Sequence, residues 1–325
     1  MDVIYPAAPF FLATGNVETL KRLLLPVLVY AANATQVYGE AKAYDLDWAP
    51  HHLGQWPLCN LPADQQEQMP LEESGNLLLM VAAIVKAQQQ GSNADPTTDP
   101  LEWLKPFWGV LNRYAAYAQA SLPDPQDQLC TDDFAGPSPH NTNLAAKGIV
   151  ALAAWAEIAR MNPTVDASAA EEDAKAYAGN ASALALEWQK MALDVNGTHY
   201  KLQFDLPGTW SQKYNFLFQE LLQLDPKPFP PEVVQLEEAW YAANMNQYGI
   251  PLDSRQEYTK HDWSMWVAAM GTDDQFHSIV EACFAFANKT MSRVPLGDWT
   301  HTSTPQSIAF KARPVMGGIY AKLLL

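Results

Sequence analysis

Apolar positions recur along the chain in two kinds of segment. In one kind almost every position is apolar or small: LLLMVAAIVKA from Leu77, LAAKGIVALAAWA from Leu144, WSMWVAAM from Trp263 and PVMGGIYAKLLL from Pro314. A helix without a polar face is buried on all sides. In the other kind, near residues 20, 110, 180, 238 and 280, charges interrupt the apolar residues at helical spacing. The two kinds alternate.

Start and stop signals bound these segments. Asn16-Val17-Glu18 opens a helix through KRLLLPVLVYAANA, Ser74 caps one that ends at Gly91, and Asp99-Pro100-Leu101-Glu102 opens the next. Further helices are predicted over 144–160, 168–193, 211–224, 231–246, 262–270, 273–288 and 314–325. Strand signals are few: THYKLQFD, Thr198 to Asp205, alternates and reads as one arm of a small hairpin.

The buried kind begins near residues 74, 142, 211, 262 and 314, a spacing of roughly 50 to 70 residues. The repeated units share no sequence, so the period is one of helical hairpins. Alternating inner and outer helices at this spacing predict an all-α fold, an α/α toroid, as one domain over residues 1–325. About five hairpins are evident where a ring closes well with six, so part of the first hairpin is expected to be missing. Two packed bundles are the alternative. The Pro-rich stretches 121–128 and 225–231 read as turns between hairpins and not as domain linkers.

In such a ring the N-termini of the inner helices share one rim. The loops before them are WAPHHLGQWPLCN with EQMPLEESGN, then QLCTDDFAGPSPHNTN, PGTWSQKYN, YGIPLDSRQEYTKHDW and HTSTPQSIAFKARPVMGG. Pooled, they bring carboxylates (Glu72, Glu73, Asp132, Asp133, Asp253, Asp262), imidazoles (His51, His52, His140, His261), cations (Lys213, Arg255, Lys260, Arg313) and flat aromatic rings over one cavity. A neutral carboxyl beside an ionised one suits hydrolysis, the first donating a proton and the second activating water. Each residue also has a plainer reading: a carboxylate in a first helical turn is often a cap, and Trp210 or Trp263 alone is often core. The case rests on the convergence of the loops.

Composition narrows the class. The chain has 325 residues, 48% hydrophobic and 17% charged, enough for a large core. A net charge of −16 disfavours nucleic acid and anionic membranes as partners. Cys59, Cys130 and Cys283 form no CxxC pair, so a structural zinc site is not expected, and Asp132-Asp133 lacks EF-hand spacing. No metal or other cofactor is expected. There is no G-x-S-x-G, P-loop, G-x-G-x-x-G or HExxH. MDVIYPAAPFFLATGN lacks the basic region of a signal peptide, yet Asn33, Asn180, Asn196 and Asn288 head N-x-[ST] sequons.

DVIYPAAPFFL, WAPHHLGQWPLCN, EQMPLEESGN, QLCTDDFAG with HNTNLAAKGI, PGTWSQKYN, YGIPLDSRQEYTKHDW and ARPVMGG resemble the six-helical-hairpin domain of the fungal and bacterial glutaminase A family. The resemblance spans Asp2 to Leu325. It implies an α/α toroid, secretion, and hydrolysis of the L-glutamine side-chain amide to glutamate and ammonia. It also implies an N-terminal β-rich region that this chain lacks and that is a candidate partner. The same toroid is shared with glycoside hydrolases, so a sugar is the alternative substrate, and an inactive remnant a third reading.

Asp133 and Glu73 are therefore the expected acid/base pair, with His140 orienting one of them. Glu72, Asp132, His52, Trp56, Trp210, Lys213, Tyr214, Asp262, Trp263 and Arg313 are expected to bind substrate. The α-carboxylate of glutamine calls for Lys213 or Arg313, and its α-ammonium for a carboxylate.

Overall fold

The computed structural model describes residues 1–32, 46–54, 68–90, 99–292 and 294–325. Among them ten α-helices dominate: α1 (Ile4–Ala13), α2 (Val17–Ala32), α3 (Pro70–Gln90), α4 (Trp108–Ala120), α5 (Thr142–Ala159), α6 (Ala167–Ala192), α7 (Leu217–Leu221), α8 (Pro231–Asn244), α9 (His261–Met270) and α10 (Asp273–Lys289). A 3-10 helix over Pro314–Leu324 follows. Two short antiparallel strands, β1 (Tyr258–Lys260) and β2 (Trp299–His301), pair Lys260 with Trp299.

The inner wall is a closed circuit. α1 packs on α3, α3 on α5, α5 on the Tyr214–Leu221 segment, that segment on α9, α9 on the Pro314–Leu324 helix, and that helix back on α1. α2, α4, α6, α8 and α10 each follow an inner segment. The ring is thus an α/α toroid with six inner segments among the described residues. The sixth is α1, for which the sequence reading had no element. IYPAAPFFLA carries Pro6 and Pro9, which obscure a helical pattern, yet Tyr5, Ala7 and Ala8 are buried and α1 packs on the closing helix.

Small residues let the inner helices approach. A Cβ on Gly75 of α3 would stand 2.9 Å from Lys147 Cγ of α5, and one on Gly148 of α5 would stand 2.9 Å from Leu71 Cδ1 of α3. α5 is buried almost throughout, as its apolar sequence requires. Its N-cap is Asn141, whose side chain accepts from Leu144 N at 2.9 Å.

Other boundaries moved for identifiable reasons. α3 starts at Pro70, a residue pre-set for the first helical position, so Ser74 lies inside the helix and its Oγ accepts from Ala49 N at 3.1 Å. Pro106 leaves Glu102–Phe107 as a 3-10 turn before α4. Thr198 to Asp205 forms no strand; it makes only isolated bridges, Leu193 to Tyr200 and Asn141 to Gln203. Cys130 and Cys283 are free thiols, and Cys59 lies outside the described residues.

Candidate active site

Glu72 and Glu73 sit in the first turn of α3, and both are fully buried. Lys147, from the middle of α5, crosses to them. Its ammonium bonds Glu72 Oε1 and Asn76 Oδ1, the latter at 2.7 Å, and lies 4.3 Å from the centroid of the Tyr5 ring. Asn76 Nδ2 donates to Glu72 Oε1 at 3.2 Å and to Glu73 Oε2 at 3.0 Å. Glu72 thus has a cation, whereas Glu73 has none bonded to it. Among the described residues nothing donates to Glu73 Oε1, and His51 Nε2 stands 3.9 Å away. Burial pushes the Glu73 carboxyl up to about 8.

The TDDF turn brings in the next carboxyl. Cys130 is extended, Thr131–Ala135 make a 3-10 turn, and Gly136 at φ 97° reverses the chain where only glycine is unstrained. Asp132 is buried and accepts from Tyr214 OH at 2.7 Å through Oδ2. Among the described residues its Oδ1 has no hydrogen-bond partner. Burial raises its pKa to about 7, opposed by the Tyr214 bond and by Lys260.

Tyr214 stacks on Trp263 with centroids 4.1 Å apart and planes at 5°, and the Lys260 ammonium lies 4.9 Å from the Trp263 ring centre. Buried Lys260, at the end of β1, pairs with Asp262 Oδ2 at 3.1 Å and Asp298 Oδ2 at 3.3 Å. Arg313 Nη1 adds a 3.2 Å bond to Asp298 Oδ2, and its guanidinium lies 4.2 Å from the Phe310 ring centre. Burial pushes Asp262 up to about 6 while Lys260 opposes the shift. Half-buried Phe134, Tyr258, Trp299 and Phe310 pack around this corner, Phe134 and Trp299 at 4.8 Å.

The inner-helix N-termini carry three polar groups, Lys147 with Glu72, Asn76 and Glu73, Asp132 with Tyr214, and Lys260 with Asp262, Asp298 and Arg313, the last two joined through the Tyr214–Trp263 stack under Lys260. Of the residues proposed from sequence, Glu72, Glu73, Asp132, Tyr214, Asp262, Trp263 and Arg313 lie in these groups. Asp133 is half-buried and next to Asp132 in the turn. Trp210 is buried and lines a neighbouring groove of about 370 Å³ with Asn246, Asp253, Ser254 and Arg255. His52 is exposed, and its Nδ1 accepts from Gly54 N at 3.1 Å. Trp56 lies outside the described residues.

Two assignments need correction. Lys213 cannot hold a substrate carboxylate, because its ammonium is buried on Ser211 O at 2.9 Å, Ser211 Oγ at 3.0 Å and Tyr200 O at 3.2 Å, with Glu237 at 3.6 Å. His140 is oriented by Asp124, whose Oδ2 is 2.8 Å from its Nδ1. The sequence reading also passed over Lys147, Asn76 and Asp298. Lys147 had a visible signal: it is the one charge inside LAAKGIVALAAWA. A lysine there has to find a buried carboxylate. Among the described residues no three His, Cys, Asp or Glu side chains converge as metal ligands.

Residues 1–323 match the glutaminase A six helical-hairpin domain. The chain belongs to that family. Glutaminase A of Aspergillus oryzae is 33% identical over the whole of this chain and 44% of its own length. A probable glutaminase of Arthroderma benhamiae is 28% identical over the whole chain and 45% of its own length. The chain thus spans less than half the length of these relatives. Among solved structures a glycosidase variant superposes with a TM-score of 0.63 at 12% identity, covering 98% of this chain and 85% of that one. An uncharacterized conserved protein from Thermus thermophilus gives a TM-score of 0.57 at 9% identity, covering 99% of this chain and 91% of that one. These two bear on the fold alone, a glycosidase-like toroid.

Proposed function

We propose that the rim network hydrolyses the side-chain amide of L-glutamine to glutamate and ammonia, the activity that the names of its relatives indicate. The observation that carries a hydrolytic reading is the pair Glu73 and Asp132. Both are buried, each keeps an oxygen without a hydrogen bond, and both are brought to the neutral range. Asp132, the more acidic, takes a proton from the water that attacks the amide carbon. Glu73, still protonated, gives its proton to the amide nitrogen, the C–N bond breaks and ammonia leaves. Asp132 replaces Asp133 in this role because it is the buried member of the pair and is bonded to Tyr214. Arg313 takes the substrate α-carboxylate, and Asp262 or Asp298 its α-ammonium.

A second reading, cleavage of a glycosidic bond, uses the same carboxyls and is favoured by the half-buried Phe134, Tyr258, Trp299 and Phe310 around the corner at Lys260. The test is ammonia release from L-glutamine and L-asparagine beside a panel of aryl glycosides. Glutamine turnover lost in both Asp132→Asn and Glu73→Gln supports the amidase. Turnover confined to glycosides would replace it. The glutaminase rate should rise near pH 7 and fall near pH 8, as Asp132 and then Glu73 lose their protons.

The protein is further proposed to work outside the cell with N-glycans at Asn196 and Asn288. Both are exposed, whereas Asn180 is half-buried on α6. An endoglycosidase mass shift on native protein, absent in Asn196→Gln with Asn288→Gln, tests this.

A further inference from the structure

A cavity of about 190 Å³ lies between α8, α9 and α10, walled by Met245, Ile250, Val267 and Ile279. It is separate from the rim network, at the opposite end of α9 from Asp262. Residues 262 and 271 are nine apart, or about 13 Å along a helix. Into this apolar space one carboxyl is set. Glu238 lines it, is 8% exposed, and has no hydrogen bond to Oε1. That oxygen stands 3.4 Å from where a Cβ on Gly271 would be, and Gly271 is itself a wall of the cavity. Gly271 leaves room for this oxygen, and Glu238 also borders the adjoining groove of about 530 Å³ that Lys322 lines.

The neighbouring carboxylate behaves differently. Glu237, one residue earlier, accepts from Tyr200 N at 2.7 Å and Tyr241 OH at 2.6 Å. Among the described residues nothing donates to Glu238 Oε1. The cation that acts on it, Lys322, is engaged with Ala269 O at 3.2 Å and lies 5.4 Å from the Phe276 ring centre. Burial holds the Glu238 pKa up at about 7 despite Lys322. At the mouth, exposed Asp274 on the first turn of α10 adds a second negative charge. Ala242 and Ser278, also at the mouth, are exposed, so a ligand can enter.

We propose that this cavity is a binding site for a small amphipathic amine, its ammonium on Glu238 and its alkyl or aryl body against Met245, Ile250, Val267 and Ile279. The size is adequate: an apolar cavity of about 150 Å³ takes up benzene. A buried carboxylate without donors selects a cation, since pairing offsets the cost of burying each charge.

The probes are benzylammonium and benzyl alcohol, which share a body and differ in charge. Each is titrated into the 325-residue chain by calorimetry at neutral pH. Saturable binding of benzylammonium is expected, at least tenfold tighter than benzyl alcohol, with the preference abolished in Glu238→Gln. Ala242→Phe fills the mouth from an exposed position and should lower affinity for both probes tenfold or more. It decides the matter if Glu238→Gln fails to fold. No saturable binding, equal binding of the two probes, or benzylammonium affinity unchanged in both variants overturns the proposal.

Discussion

Two buried lysine–carboxylate clusters in this toroid are built from the same residue types and differ in completeness. At Lys213 the donors and acceptors match. Lys213 spends its ammonium on Ser211, Tyr200 O and Glu237, and both Glu237 oxygens accept, from Tyr200 N and Tyr241 OH. At the rim the carboxyls outnumber the cations. Lys147 takes Glu72, and Lys260 with Arg313 takes Asp298 and Asp262, leaving, among the described residues, one oxygen each on Glu73, Asp132 and Asp298 and both on Asp262 without a hydrogen bond. A buried polar group left unsatisfied costs about 1–3 kcal/mol. Five such oxygens are costly as architecture, and they are the groups that the proposed function uses. The first cluster holds the fold, and the second is the one proposed to carry chemistry.

The sharpest way to break this contrast is to remove the lysine from the complete cluster. Lys213→Met leaves Glu237 buried and without its counter-ion. Losing one partner of a buried pair costs about 3–5 kcal/mol. Urea unfolding should show that loss. A change below about 1 kcal/mol would mean that Glu237 is held by Tyr200 and Tyr241 alone.

Asp132→Asn should act the other way. It removes a buried charge whose pairing is already partial, and an amide oxygen can still accept from Tyr214 OH. Stability should change by less than about 1 kcal/mol. The proposed glutaminase activity should fall on the order of 10²–10⁴-fold, the usual contribution of general acid–base catalysis. Unchanged activity with a large stability loss would place Asp132 with the structural cluster.

Glu73→Gln sharpens the contrast through pH. The folded pKa of Glu73, about 8, lies above its ordinary 4.5. Between these values the native state binds a proton that the unfolded state has lost. The stability due to Glu73 is therefore present in full below the lower value and declines as pH rises through the upper one. Relative to Glu73→Gln, the wild type should lose up to about 1.4 kcal/mol per pH unit across that window. Thermal melts at pH 5 and pH 8.5 give the comparison. Parallel curves for the two proteins would mean that Glu73 is ionised when folded.

How much of this was legible depends on which physical constraint each residue obeys. The toroid could be read because α3 and α5 are apolar on every face, and a ring of such helices is what buries them. The convergence of the loops followed from that. α1 was hidden because Pro6 and Pro9 break the local pattern while packing against the Pro314–Leu324 helix overrides it. Choosing between adjacent residues was beyond periodicity. TDDF offers two aspartates, and only the 3-10 turn with Gly136 decides that Asp132 is the one buried on Tyr214. Likewise Lys147 and Lys213 are both lysines near inner segments. Which of them faces the carboxyl-rich rim is set by the packing of α5 on α3, at Gly75 and Gly148.

The smallest expected effect concerns His140, which sequence placed among the catalytic groups. The ring is partly exposed and pairs with Asp124, which raises its pKa by hydrogen bonding first and Coulomb attraction second. An ion pair with this exposure contributes no more than about 1 kcal/mol. Because the folded pKa is raised, that contribution is full below the ordinary pKa of 6.5 and vanishes as pH rises through the folded value. The substitution must respect the backbone: His140 sits at φ 54°, a left-handed conformation that asparagine tolerates better than most residues. His140→Asn should therefore cost under about 1 kcal/mol at pH 5, nothing measurable at pH 9, and leave kcat for glutamine within about twofold. If kcat instead falls a hundredfold while the melt is unchanged, the His140–Asp124 pair belongs to the chemistry. The boundary drawn between the complete cluster and the deficient rim would then have to be extended outward to include it.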